Sequence, residues 1–130
     1  MSNYMITSDT IREVSEIFCG DISGYYTYKS GPKLVSFFNT NFGTKDVYQA
    51  GFPSRWAYVY DKINLLISHR SVDSFFNKIL SKAYLMQEQS LSEVDAVEKI
   101  EKIYETNTNF VFLKVKNAKE IFEKMKENSI

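Results

Sequence analysis

Apolar residues recur at helical spacing along most of the chain. Ile11, Val14, Ile17 and Phe18 fall on one face of a segment that Thr7 or Ser8 can cap and Gly20 can end. Leu34, Phe37, Phe38 and Phe42 share a face of a second helix, which opens on Pro32 and closes at Gly43. Proline suits that first turn because its missing N–H would be unpaired there anyway. Between the two helices, "DISGYYTYKSG" reads as a loop or short irregular strand. Pro53 and Ser54 mark the start of a third helix. On it, Trp56, Val59, Tyr60, Ile63 and Ile67 fall within an arc of about 100° and predict a core stripe. Arg55, Tyr58 and Lys62 lie together on the other flank, with Leu65 beside Tyr58. A helix apolar on one side and partly so on the other is expected between neighbours.

After a break at "SHRS", Ser71 can cap a fourth helix with the stripe Val72, Phe75, Phe76, Ile79, Ala83 and Met86. A fifth, in "QSLSEVDAVEKIEKIYETN", has two candidate caps, Ser90 with Glu93 and Ser92 with Asp95. Its apolar residues Val94, Val97, Ile100, Ile103 and Tyr104 drift around the helix. Val111, Phe112, Leu113 and Val115 then predict a strand over 110 to 115, and Asn117 caps a last helix. A single strand needs a partner, and "YYTY" at 25 to 28 is the obvious internal candidate. The pattern as a whole predicts a mainly α fold, a compact bundle of five to six helices with one short strand or hairpin. It forms one helical domain over residues 1–130, and a longer native chain stays open. "SFFN" occurs at 36 to 39 and again at 74 to 77, but too little else aligns at that offset to make a repeat.

Composition sharpens this picture in two respects. With 44% hydrophobic and 15% aromatic residues, the 130-residue chain can bury a substantial core, which argues against disorder. Sixteen basic and sixteen acidic residues cancel, so no global field draws in nucleic acid or an anionic membrane. Residues 88 to 105 are the acidic part, with six acidic and two basic side chains, and they read as a solvated helix face. A single cysteine, Cys19, excludes an internal disulfide framework and fits a reducing cytosol. No apolar run approaches the roughly 18 residues of a membrane span. "MSNYMITSD" lacks the charged-then-apolar order of a signal peptide. A soluble, cytoplasmic protein without membrane contact is therefore expected.

Candidate chemistry is sparse. One His and one Cys exclude a histidine-based metal cluster and a zinc ribbon, and neither G-x-G-x-x-G nor G-x-S-x-G occurs. Glu98, Glu101 and Glu105 are interspersed with Lys99 and Lys102, which reads as an exposed charged face, with a divalent-metal site as the sharper alternative. His69 and Arg70 fall between two helices, where a proton shuttle or phosphate contact competes with plain exposure. The expectation is a chain that is not an enzyme and needs no cofactor or metal. Its best candidate binding surface joins Arg55, Tyr58, Lys62 and Leu65 to Tyr25, Tyr26, Tyr28 and Lys29 of the "YYTYK" loop, with Arg70 nearby. Tyr and Arg are the side chains that most often anchor interfaces. The expected partner is another protein or a second domain of the same protein. A nucleic-acid-binding module using the same modest basic and aromatic face is the alternative. On this view Arg55→Glu with Tyr58→Ala leaves melting unchanged and abolishes partner binding.

Taken together, "IREVSEIFCG", "GPKLVSFFNTNFG", "GFPSRWAYVYDKIN" and "VDSFFNKIL" resemble the small N-terminal domains of bacterial phage-defence proteins, the abortive-infection proteins of the AbiJ type. The resemblance covers residues 6 to 85. It implies a helical accessory or sensor module, of the kind joined to a C-terminal HEPN-type ribonuclease in a bacterial defence or toxin–antitoxin-like protein. The HEPN signature, an Arg followed four to six residues later by His, is missing here, since Arg55 and His69 are 14 apart. The resemblance thus implies the accessory part and not the nuclease.

Overall fold

The computed structural model describes residues 7–106, which form six helices and no strand. The predicted strand at 110 to 115 and the helix after Asn117 lie outside the described residues. The suggested partner segment, 25 to 28, is an irregular turn and not a strand.

Helix α1 (Ser8–Cys19) is capped by Thr7, whose side chain accepts the Thr10 N–H, and it stops at Gly20 with φ of 88°. A side chain at Gly20 would be strained by that left-handed backbone, and its Cβ would collide with the backbone of Tyr28. Helix α2 (Gly31–Phe42) has proline in its first turn and ends at Gly43, as the sequence predicts, and Ser30 caps its start by accepting the Lys33 N–H. Helix α3 (Arg55–Ser68) follows Ser54.

The predicted fourth helix is two helices. Helix α4 (Val72–Ile79) ends at Leu80, and Ser81 then caps α5 (Lys82–Gln89) by accepting the Tyr84 N–H. This break changes the phase of the apolar stripe. Leu80 and Leu85 are buried, while Ala83 is exposed and Met86 half-buried. Helix α6 (Glu93–Thr106) uses the second of its two candidate caps, with the Asp95 N–H donating to Ser92 Oγ at 3.1 Å. Val94, counted among its apolar positions, is exposed, and Ala96 is buried instead.

Helix α3 packs along α1 and also touches α2 and α4, whereas α5 pairs with α6. Being enclosed on several sides, α3 buries Tyr58, Val59, Ile63 and Leu66, while Trp56, Tyr60 and Ile67 are half-buried. The guanidinium of Arg12 covers the Trp56 ring, 4.1 Å from its centre. The heart of the core is aromatic: Phe18 meets Phe37 at 4.9 Å, and Phe38 stacks on Phe75 at 5.8 Å with an 11° interplanar angle. The two "SFFN" segments thus meet, one on α2 and one on α4. Each fully buried Phe contributes about 1.5–3 kcal/mol by leaving water, and well-oriented ring pairs add about 0.5–1.5 kcal/mol.

Candidate functional site

The segment between α1 and α2 is tied to three helices. Tyr26 is buried and its hydroxyl donates to the Ile79 carbonyl at the end of α4, at 2.7 Å. Lys29 is 5% exposed, and its ammonium donates to the Phe18 carbonyl at 3.0 Å while pairing with the Glu88 carboxylate of α5. The Gln89 side-chain amide donates to the Tyr25 carbonyl at 2.8 Å, and Tyr25 itself is half-buried against the core. Burial pushes the Lys29 ammonium below its ordinary value, against the pull of Glu88. The Tyr84 hydroxyl donates to the same carboxylate at 3.3 Å. Burial, and then the Glu88 charge, hold that phenol well above its usual range.

Arg55 completes this arrangement from the start of α3. Its Nε donates to the Lys29 carbonyl and its Nη2 to the Cys19 carbonyl, both at 2.7 Å, while Nη1 meets Asp21 at 2.8 Å. Lys29 and Arg55 therefore satisfy the last two carbonyls of α1, a helix with no basic residue in its own last turn. Cys19 beneath them is inert, its thiol pushed up to about 12 mainly by burial.

Tyr58 and Lys62 serve a different loop. Asn39 holds residues 44 to 46 by accepting from Thr44 Oγ1 at 2.6 Å and from the Asp46 N–H at 3.0 Å. Asp46 in turn accepts the Tyr58 hydroxyl at 2.7 Å and pairs with Lys62 at 2.6 Å. The hydrogen bonds from Lys62 and then Tyr58 keep the Asp46 carboxyl below its ordinary value.

The residues expected on one open face therefore separate. Tyr26, Lys29 and Tyr58 are each 5% exposed and turned into the fold. Arg55 and Lys62 are partly covered and paired with carboxylates. Tyr28 (63% exposed), Leu65 (37%) and Arg70 remain accessible. Consequently Arg55→Glu with Tyr58→Ala removes internal hydrogen bonds and buried ring surface, so unchanged melting is not expected of that pair. His69 is exposed, and its backbone N–H closes α3 on the Leu65 carbonyl at 3.1 Å. Glu98 and Glu105 are exposed on α6, and among the described residues no cluster of three His, Cys, Asp or Glu side chains could hold a metal ion. Among those residues no helix is long and apolar enough to cross a membrane.

Two features emerge that sequence reasoning missed. The first is an exposed patch at the N-terminal end of α2. Arg55 lies 4.0 Å over the ring of Tyr28. Two residues beyond Lys29, Gly31 lies directly under Tyr48, whose ring would collide with any side chain there. Tyr48 is 51% exposed, with Val47 beside it at 67%, and its ring packs 4.7 Å from Phe52. Nothing in the periodicity marks Val47 or Tyr48, because they sit in a loop.

The second is a cleft of about 440 Å³ between α2, α4 and α5. Phe37 and Tyr84, with ring centres 5.6 Å apart, supply its aromatic surface, and the Lys29–Glu88 pair lines it. Lys33 of α2 and Lys78 of α4 line it as well. No protein-family model, no curated protein and no solved structure matches the chain.

Proposed function

We propose that this chain is a non-catalytic binding domain that presents the Tyr28, Arg55, Val47 and Tyr48 patch to another protein or to a second domain of its own protein. The observation that carries this reading is the placement of the exposed apolar residues. Of the five large hydrophobic side chains exposed among the described residues, Tyr28 lies under Arg55, an arginine held by three partners, and Tyr48, next to Val47 in sequence, lies over Gly31 at the start of α2. Exposed aromatic surface next to a pre-oriented arginine is the composition of an interface anchor. Such an arginine loses little further freedom on binding, which favours affinity. A regulatory place in a bacterial defence or toxin–antitoxin-like protein rests on the sequence resemblance of residues 6 to 85 to the accessory domains of AbiJ-type proteins.

The alternative, a nucleic-acid surface on the same residues, has less support. Lys29, Arg55 and Lys62 are each neutralised by a carboxylate, which leaves a poor track for phosphates. A photo-crosslinking residue placed at Tyr28 or Tyr48, in the native protein in its own cells, tests the reading. The expected result is a discrete protein or interdomain crosslink from both positions and none from Val94. It should vanish in competition with wild type but persist against a Tyr28→Ala/Tyr48→Ala competitor that melts normally. Crosslinks to nucleic acid, or an equal yield from Val94, would overturn it.

A further inference from the structure

We infer that the cleft between α2, α4 and α5 is a binding site for a small phosphorylated ligand with a flat ring, of the nucleoside monophosphate class. It lies on residues separate from the exposed patch, so it stands or falls independently of that surface.

The charge balance comes first. Three lysines line the cleft against one glutamate. Lys29 and Glu88 neutralise each other: both side chains are 7% exposed, Lys29 also donates to two carbonyls, and Glu88 also accepts from Tyr84 and Gln89. The glutamate therefore offers little repulsion to an incoming anion. Lys33 and Lys78 are different, since neither makes an ion pair among the described residues. Lys33 is exposed at the first turn of α2, and Lys78 reaches over Tyr84, 5.9 Å from the ring centre. Two ammonium groups without an ion pair among the described residues match in number the charge of about −1.5 to −2 that one phosphate monoester carries near neutral pH.

The second half of the ligand follows from the apolar surface. Phe37 and Tyr84 both line the cleft, only half-buried, with their rings tilted 66° to each other. Such a pair is no sandwich, and Phe18 and Lys78 already lie against Tyr84, but a flat ring can stack on the aromatic surface the two leave toward the cleft, and base–aromatic stacking is worth about 1–3 kcal/mol. The hydroxyls of Ser36 and Thr40, one turn apart on the α2 wall, are exposed and suited to a sugar or phosphate oxygen. A volume of about 440 Å³ falls in the range of small-molecule sites, roughly 300–1,000 Å³.

Calorimetric and NMR titration of the 130-residue chain with adenosine 5′-monophosphate, adenosine, inorganic phosphate and a short oligodeoxyadenylate tests the assignment. Saturable one-to-one binding of the monophosphate is expected, tighter than either half alone, with shifts concentrated at Phe37, Tyr84 and their neighbours. Lys33→Gln/Lys78→Gln should weaken it about tenfold or more, through loss of charge-assisted contacts, while far-UV circular dichroism shows the helices intact. Lack of binding at millimolar monophosphate, equal binding of phosphate alone, or insensitivity to the double substitution would each overturn the assignment. Tighter, steeply salt-dependent binding of the oligonucleotide would overturn it too, by making the cleft part of a strand-binding groove.

Discussion

Lys29 and Arg55 reach the final carbonyls of a helix to which neither belongs. Helix α1 ends with Phe18 and Cys19: the Lys29 ammonium serves the Phe18 carbonyl, and the Cys19 carbonyl accepts both Arg55 and, at 2.9 Å, the Lys29 backbone N–H. For Lys29 the geometry also sets the energetic stakes. It is buried with Glu88, and removing one member leaves the other charge uncompensated in a poorly hydrated place. Lys29→Met should therefore cost about 3–5 kcal/mol in urea denaturation. Lys29→Met combined with Glu88→Leu should recover part of that loss, because no lone charge then remains, although the Phe18 carbonyl and the Tyr84 hydroxyl still lack these partners. If the double variant is as unstable as the single one, the pair is not the source of the cost. None of these partnerships was legible beforehand. Lys29 read as part of a basic and aromatic face, and Glu88 as the first residue of an acidic stretch. Their meeting depends on a separation of 59 positions in sequence.

At the scale of elements, the ends of helices were more legible than their packing. Thr7, Gly20, Pro32 and Gly43 act where local stereochemistry puts them, since capping depends on a few adjacent residues. The division of one expected helix into α4 and α5 was missed because the apolar spacing runs on through it. Ser81 carries that division, accepting the Tyr84 N–H at 3.1 Å and donating to the Lys78 carbonyl at 2.8 Å. Ser81→Ala should therefore lower stability by about 1 kcal/mol. Ser54 is exposed and makes no side-chain cap bond to α3. Ser54→Ala should accordingly stay within about 0.5 kcal/mol of wild type. Thermal melts of the two variants side by side check the contrast, and equal losses would contradict it.

For the molecule as a whole, buried phenols set the response to alkali. Burial is the leading cause that raises Tyr26, Tyr58, Tyr84 and Tyr104 above the ordinary phenol value. In the unfolded chain these groups ionise near pH 10, whereas in the folded chain they keep their protons. Their contribution is thus complete below about pH 10 and is lost as pH rises further. Lys29 and Lys99, whose folded values are lowered mainly by burial, act in the opposite sense, as two groups against the four phenols and the raised Cys19 thiol. The urea midpoint should fall as pH passes about 10, and a phenolate absorbance titration should show a late set of tyrosines that ionises together with unfolding. Smooth ionisation of all nine tyrosines below the unfolding transition would refute this.

By itself the sequence determined a mainly α chain, most helix ends, and the core faces of α1 and α2, because those depend on local sterics and on the 3.6-residue period. It also determined the absence of histidine and cysteine clusters, which depends on counting alone. Tertiary structure decided which basic and aromatic side chains face solvent. Arg55, Tyr58 and Lys62 share a flank of α3, yet α1, the 21–30 segment and the Asp46 loop take up their hydrogen-bonding groups. Val47 and Tyr48 carry no periodic signal, and their exposure, like that of Lys33, follows from which surfaces the six described helices leave uncovered. A period describes one element's faces; what covers each face is a property of its neighbours.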